Sequence, residues 1–236
     1  MKILFLDTSC RLARVFLIED GALLSEASDD GVKTHASMLF PCIGKVLEDA
    51  GAALEDIDVF SVTAGPGSYT GLRISMAAAK TLSYSLKKPL VPVNTLRYLA
   101  ASVSVTPDIR VSLIDGRNTL CYYLLSGDGA NRGAGTVFDK VGSDYLDKIC
   151  CVVKDALRPG LPAVFTGDGA LNYRSLIAEL LPEARFAPEG EICGTYSGAY
   201  KETMRVLGSG EDAAALDAQN AAVNYYKDVH VTVKKC

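Results

Sequence analysis

The chain has 236 residues, of which 49% are hydrophobic, and a net charge of −4 at pH 7. That is enough apolar material for one large domain or two smaller cores. It excludes two classes: no Lys/Arg block is longer than a pair, so the basic footprint of a protein that grips nucleic acid unaided is missing, and no uncharged apolar run approaches the ~20 residues needed to span a bilayer.

Met1-Lys2 leads straight into an apolar strand, residues 2–6, so no signal peptide and a cytoplasmic location are expected. The strand ends in Asp7-Thr8-Ser9, and a second strand, 13–18, turns at Asp20-Gly21 into a third, 22–27, because Asp-Gly is a two-residue hairpin signal. A polar loop, 28–33, leads to Thr34 as a helix cap and a helix over 35–50, closed by Gly51. The next strand, 59–64, stops at Gly65-Pro66-Gly67, and Ser68 is placed to cap a helix over 70–87. A strand at 90–93 and a helix at 95–103 complete a β-β-β-α-β-α-β-α series, as in an α/β domain of about 100 residues.

A boundary is expected near 104–108, giving domains 1–104 and 105–236. Beyond it, a strand at 111–114 ends in Asp115-Gly116-Arg117 and returns as a strand at 119–125. This repeats the opening unit of buried strand, aspartate, small polar turn and returning strand, the pattern of two similar halves around a cleft. Less regular pieces follow: a helix at 144–157, a strand at 162–166, the turn Gly167-Asp168-Gly169, a helix at 170–181 ended by Pro182, and a helix at 195–207 stopped by Gly208-Ser209-Gly210. The tail, 223–233, reads as strand-like or irregular.

Several groups invite a chemical reading. Exposed amides at the start of the helix after Gly67 favour an anion, but a tight turn that binds nothing has the same sequence, and glycines at 65, 67 and 71 miss the dinucleotide spacing by one residue. Asp7, Asp115 and Asp168 each close an apolar strand, where carboxylates could hold a hydrated Mg²⁺ and a nucleotide; singly, each could equally cap its own turn. The two histidines, His35 and His230, form no metal motif, and no nucleophile elbow accompanies them. Seven cysteines without a C-x-x-C pair are expected to be reduced and structural.

The helices over 35–50 and 70–87 are apolar beyond what one packed face needs; the first spreads Met38, Leu39, Phe40, Cys42, Ile43, Val46, Leu47 and Ala50 over roughly 200° of its wheel. The second shows Leu72, Met76 and Ala79 on one side and keeps Arg73 and Lys80 on a single stripe. Either both helices are simply well buried, or their excess apolar surface docks a partner.

Leu6-Asp7-Thr8-Ser9, the helix opening Thr34-His35-Ala36-Ser37 with Leu39 and Pro41, and above all the run from Ala64 to Arg73 (AGPGSYTGLR) resemble the bacterial TsaB (YeaZ) family. The resemblance implies a duplicated actin-like ATPase fold and a part in making threonylcarbamoyladenosine in tRNA. The related catalytic family, TsaD, carries two metal-binding histidines after the next strand; here those positions are Thr95 and Leu99, neither of which replaces an imidazole. What is implied is a non-catalytic subunit without a cofactor of its own, ATP or ADP entering only at a complex interface. Its partners would be a TsaD-like enzyme, a TsaE-like ATPase and, through the complex, tRNA, with a homodimer when the partner is absent. The implied contact residues are His35, Met38, Leu39, Cys42, Ile43, Val46, Leu72, Arg73, Met76, Ala79 and Lys80. The rival reading is a small Mg-ATP-dependent phosphotransferase using Asp7, Asp115 and Asp168. Tyr69 stands where the family has Phe, and the tail lacks the family's Pro-x-Tyr-x-Arg.

Overall fold

The structure, a computed structural model, describes residues 1–29, 35–105, 109–127, 139–158, 161–209 and 221–224. The first eight strands and α-helices are β1 (Lys2–Asp7), β2 (Arg14–Glu19), β3 (Ala22–Ser28), α1 (His35–Ala50), β4 (Val59–Thr63), α2 (Tyr69–Leu86), β5 (Leu90–Val93) and α3 (Thr95–Ser102). The next nine are β6 (Ile109–Asp115), β7 (Leu120–Ser126), β8 (Gly142–Tyr145), α4 (Leu146–Ala156), β9 (Ala163–Thr166), α5 (Asp168–Asn172), α6 (Arg174–Leu180), β10 (Arg185–Phe186) and α7 (Tyr196–Gly208).

The strands form two five-stranded mixed sheets, ordered β3-β2-β1-β4-β5 and β10-β9-β6-β7-β8. Read in the opposite sense, the second repeats the first strand for strand. β1 pairs antiparallel with β2 and parallel with β4, and β6 does the same with β7 and β9. The expected duplication therefore extends over the whole α/β series. β8 and β10 were not anticipated: Gly142–Tyr145 is polar, and Arg185–Phe186 is too short for an alternating pattern. The helix expected over 144–157 consequently starts at Leu146, and the one expected over 170–181 is broken at Tyr173 into α5 and α6. The expected cap Thr34, the turn residue Pro107, the stop at Gly210, His230 and the tail from 225 onward lie outside the described residues.

Burial follows the duplication. One apolar cluster joins α1 and α2 to the first sheet through Leu4, Leu6, Leu39, Val46, Phe60 and Met76. A second surrounds the second sheet, and a third lies where the halves meet, with Phe5 and Tyr98 in contact at 5.0 Å between ring centroids. Fully burying side chains of this size stabilises by about 1.5–3 kcal/mol each, so the third cluster is a strong bond between the halves.

The last helix of each half packs on the sheet of the other. α3 lies against β6 and β7, α7 lies against β5, β2 and β3, and the two helices touch. The contact demands a glycine: a Cβ on Gly198 would sit 2.0 Å from Ser102 Oγ and 2.8 Å from Ser102 Cα. The chain returns to the first half once more at 221–224, where the N–H of Asn224 donates to the carbonyl of Ala64 at 2.7 Å. Among the described residues no helix is long and apolar enough to cross a membrane, and the described cysteines are free thiols.

Candidate functional site

The strand-end aspartates converge between the sheets, each already occupied. Asp7 is buried, and its Oδ1 accepts from the N–H of Ser9 at 2.9 Å and from the Thr63 hydroxyl at 2.8 Å. Asp115 Oδ1 accepts from the N–H of Arg117 (2.7 Å) and the Tyr173 hydroxyl (2.8 Å), and its Oδ2 from Asn172 Nδ2 (2.9 Å). Asp168 Oδ1 accepts from the N–H of Asp115 at 3.0 Å. Burial pushes the Asp168 carboxyl up to about 6; the charges of Asp115 and Asp7 act in the same direction, while the N–H groups of Asp115 and Gly169 hold it back. The Asp168 carboxylate thus feels the other two, while Asp7 and Asp115 each accept one bond from their own turn, as Asx geometry provides, and the others from Thr63, Tyr173 and Asn172.

Arg14, opposite Asp7 in the β1–β2 register, crosses the same seam. Its Nη1 donates to the carbonyls of Cys193 (3.3 Å) and Gly194, tying β2 to the loop before α7. The nearby thiols are inert: burial raises Cys10 far above the ordinary range, with Asp168 and Asp7 adding to it. Burial likewise takes Cys121 up to about 12 and Cys150 up to about 11, so neither is a thiolate at neutral pH.

The Gly65-Pro66-Gly67 turn has the strand-turn-helix setting of an anion loop, but its mouth is filled. The Ser9 carbonyl accepts from the N–H of Ser68 at 2.7 Å, and a Cβ on Gly67 would fall 2.7 Å from that same oxygen. The N–H of Gly71 is capped by Ser68 Oγ at 3.2 Å, the role expected of Ser68, and Thr8 Oγ1 donates to the Gly71 carbonyl at 2.6 Å. The β1–β2 turn therefore sits where an anion would, and Gly67 is required for that close approach.

The two apolar helices need a correction. Leu39, Cys42, Ile43 and Val46 of α1, and Leu72, Met76 and Ala79 of α2, are at most 5% exposed and pack within the chain's own interior. They are not contacts on an outer face. An α/β layer must first cover its sheet, and these positions do so; apolar character alone does not distinguish a face turned to the sheet from one turned to a partner. What remains outside is Phe40 (55% exposed), Tyr69 (56%) and Tyr84 (70%), with Arg73, Ala77 and Thr81 exposed and Met38 and Lys80 half-buried. Residues 73, 77, 80 and 84 recur at helical spacing as one stripe. The Arg73 guanidinium lies 4.0 Å over the Tyr69 ring, which holds both side chains on that surface. His35 opens α1. Phe40 and Tyr84 were not among the expected contact residues, though Phe40 was visible on the wheel; separating the inner from the outer half of that arc would have found it.

After β5, Thr95 and Leu99 are both fully buried. The N–H of Thr95 donates to the Gly65 carbonyl at 2.9 Å, while its hydroxyl has no partner among the described residues.

The family model described as TsaD, tRNA N6-adenosine threonylcarbamoyltransferase, matches residues 26–234. The chain is 36% identical to the tRNA threonylcarbamoyladenosine biosynthesis protein TsaB of Bacillus subtilis over 181 residues, covering 77% of each. It is 31% identical to a tRNA N6-adenosine threonylcarbamoyltransferase of Brachyspira hyodysenteriae over 63% of this chain, but spans only 49% of that relative's length. Among solved structures, a Pseudomonas aeruginosa protein described as similar to peptidase YeaZ superposes with a TM-score of 0.72 at 23% identity, covering 96% of this chain and 99% of the other. That likeness concerns the fold, the two matching five-stranded mixed sheets described above.

Proposed function

The chain belongs to the TsaB family, and on that premise we propose that it is a non-catalytic scaffold which binds and activates a TsaD-like metalloenzyme adding threonylcarbamoyl to the tRNA adenosine beside the anticodon. The observation that carries the non-catalytic reading is the burial of Thr95 and Leu99 at full depth after β5. At the positions where the resemblance would put two imidazoles, the chain has a hydroxyl, a weak ligand, and a hydrocarbon.

The docking surface in this reading is the outer stripe of α1 and α2, with Phe40, Tyr69, Ala77 and Tyr84 as the apolar contacts and Arg73 and Lys80 as its charges. Exposed aromatic and Arg side chains are the residue types on which interface energy concentrates. The same stripe serves self-association when the partner is absent. A TsaE-like ATPase is a third member, tRNA is reached only through the complex, and the complex works in the cytoplasm. Any nucleotide belongs to the interface, because the carboxylates of Asp7 and Asp115 accept bonds from their own turns.

The test is to mix the chain with the TsaD-like protein of the same organism and assay threonylcarbamoyl transfer to tRNA. A stable complex, with transfer that requires this chain, is the expected result. Transfer at the same rate without the chain, or absence of a complex, overturns the reading.

A further inference from the structure

A cavity of about 320 Å³ opens in the seam between the halves, between α3, the β6–β7 pair and α7. Arg110 and Ser126 are direct cross-strand partners on β6 and β7, and both side chains line it. Arg110 Nε and Ser126 Oγ lie buried at the wall without a hydrogen-bond partner among the described residues. Buried donors in folded proteins are nearly always satisfied, so two open donors side by side call for an acceptor.

The charges around them point to the acceptor's nature. Arg97 is bonded to Asp139 through its carbonyl at 2.7 Å and faces its carboxylate at 3.9 Å. Glu202 is held by Arg205 through two bonds of 2.8 and 2.9 Å. The acids of the cavity are thus taken. Arg110 donates only to the Val105 carbonyl at 3.3 Å and Lys201 only to the Ala101 carbonyl at 3.4 Å, and neither has an acidic partner among the described residues. Two uncompensated cations and an open hydroxyl are left, with Leu124 and Val103 as apolar wall.

We infer that this cavity is a binding site for a phosphoryl group, either inorganic phosphate or a small phosphate ester. A phosphate dianion matches the two free positive charges and accepts from Arg110, Ser126 and Lys201 together, where charge-assisted bonds are the strong ones. Since its walls come from both halves, an occupant fixes α3 and α7 in their exchanged positions. The site is independent of the outer stripe of α1 and α2.

Titration calorimetry of the full chain at low ionic strength, with inorganic phosphate as the probe and acetate as control, tests this. Phosphate is expected to bind saturably and more tightly than acetate. Ser126→Ala and Lys201→Gln should each weaken it about tenfold, the effect of one lost charge-assisted hydrogen bond. The thermal midpoint without phosphate should stay unchanged, because Lys201 is exposed and Ser126→Ala removes a hydroxyl that bonds nothing. Arg110→Gln should abolish binding; should that variant fail to fold, the other two decide. The inference is overturned by absence of saturable phosphate binding, by acetate binding equally well, or by unchanged affinity in Ser126→Ala and Lys201→Gln.

Discussion

The hydroxyls of Ser61 and Thr203 meet at 2.8 Å in the interior, one on β4 and the other on α7, 142 residues later in the chain. Thr203 donates to the Ala199 carbonyl at 2.7 Å, which leaves Ser61 to donate across to Thr203 Oγ1, with the Val91 carbonyl at 3.2 Å as its alternative acceptor, so the pair is a polar link inside an apolar seam. A double-mutant cycle with Ser61→Ala and Thr203→Val should give each single variant a loss of about 1 kcal/mol in urea unfolding and a coupling energy of about 0.5–1 kcal/mol. Strict additivity would mean that the hydroxyls do not join the halves.

The outer and inner faces of α2 predict opposite outcomes for the same substitution one residue apart. Met76→Asp buries a carboxylate in the first cluster and should cost about 3–5 kcal/mol, leaving little folded protein. Ala77→Asp places it on the exposed stripe and should leave the thermal midpoint within about 1 °C while weakening capture of the proposed TsaD-like partner. Co-purification and thermal denaturation of the two variants separate these roles; undiminished capture by Ala77→Asp counts against the docking surface.

Asp168 sets a pH dependence of definite sign. Its folded carboxyl titrates near 6 against an unfolded value near 3.8, so between those values the folded state holds more protons and stability falls as pH rises. Below pH 3.8 the contribution is fully present, and above about pH 6 it is gone. Asp168→Asn should therefore stabilise the chain at pH 8 by about 2–3 kcal/mol, the gain shrinking toward zero near pH 4. Urea midpoints across that range check it; a gain independent of pH would exclude titration of Asp168 as the cause.

Gly67 is the point at which the two turns interlock. Gly67→Ala should destabilise by about 1–3 kcal/mol, since a Cβ there collides with the Ser9 carbonyl rather than with a flexible side chain. Were the turn open for an anion, the extra methyl would be tolerated and only ligand binding would change.

Mg-ATP offered to the isolated chain should give no saturable heat that depends on Asp7, because Ser9 fills the turn and Asp7 is bonded to Ser9 and Thr63. Tight binding that disappears in Asp7→Ala would revive the phosphotransferase reading.

The sequence by itself determined the strand-turn-aspartate units at Asp7 and Asp115, the α/β order of the first half and the cap at Ser68. These are local properties: apolar period, turn chemistry and capping act over a few residues and can be read there. β8 and β10 were not legible, because a polar edge and a two-residue strand have no period of their own and exist only through their neighbours. Only the tertiary structure decided that Leu39, Val46, Leu72 and Met76 face inward while Phe40 and Tyr84 face out, since an apolar side chain meets a sheet or a partner on equal terms. It also decided that Ser9 closes the Gly-Pro-Gly turn, that α3 and α7 exchange sheets, and that Arg110 and Ser126 share a cavity. Each of these joins residues far apart in the chain, and their energies come from contacts that no short stretch contains.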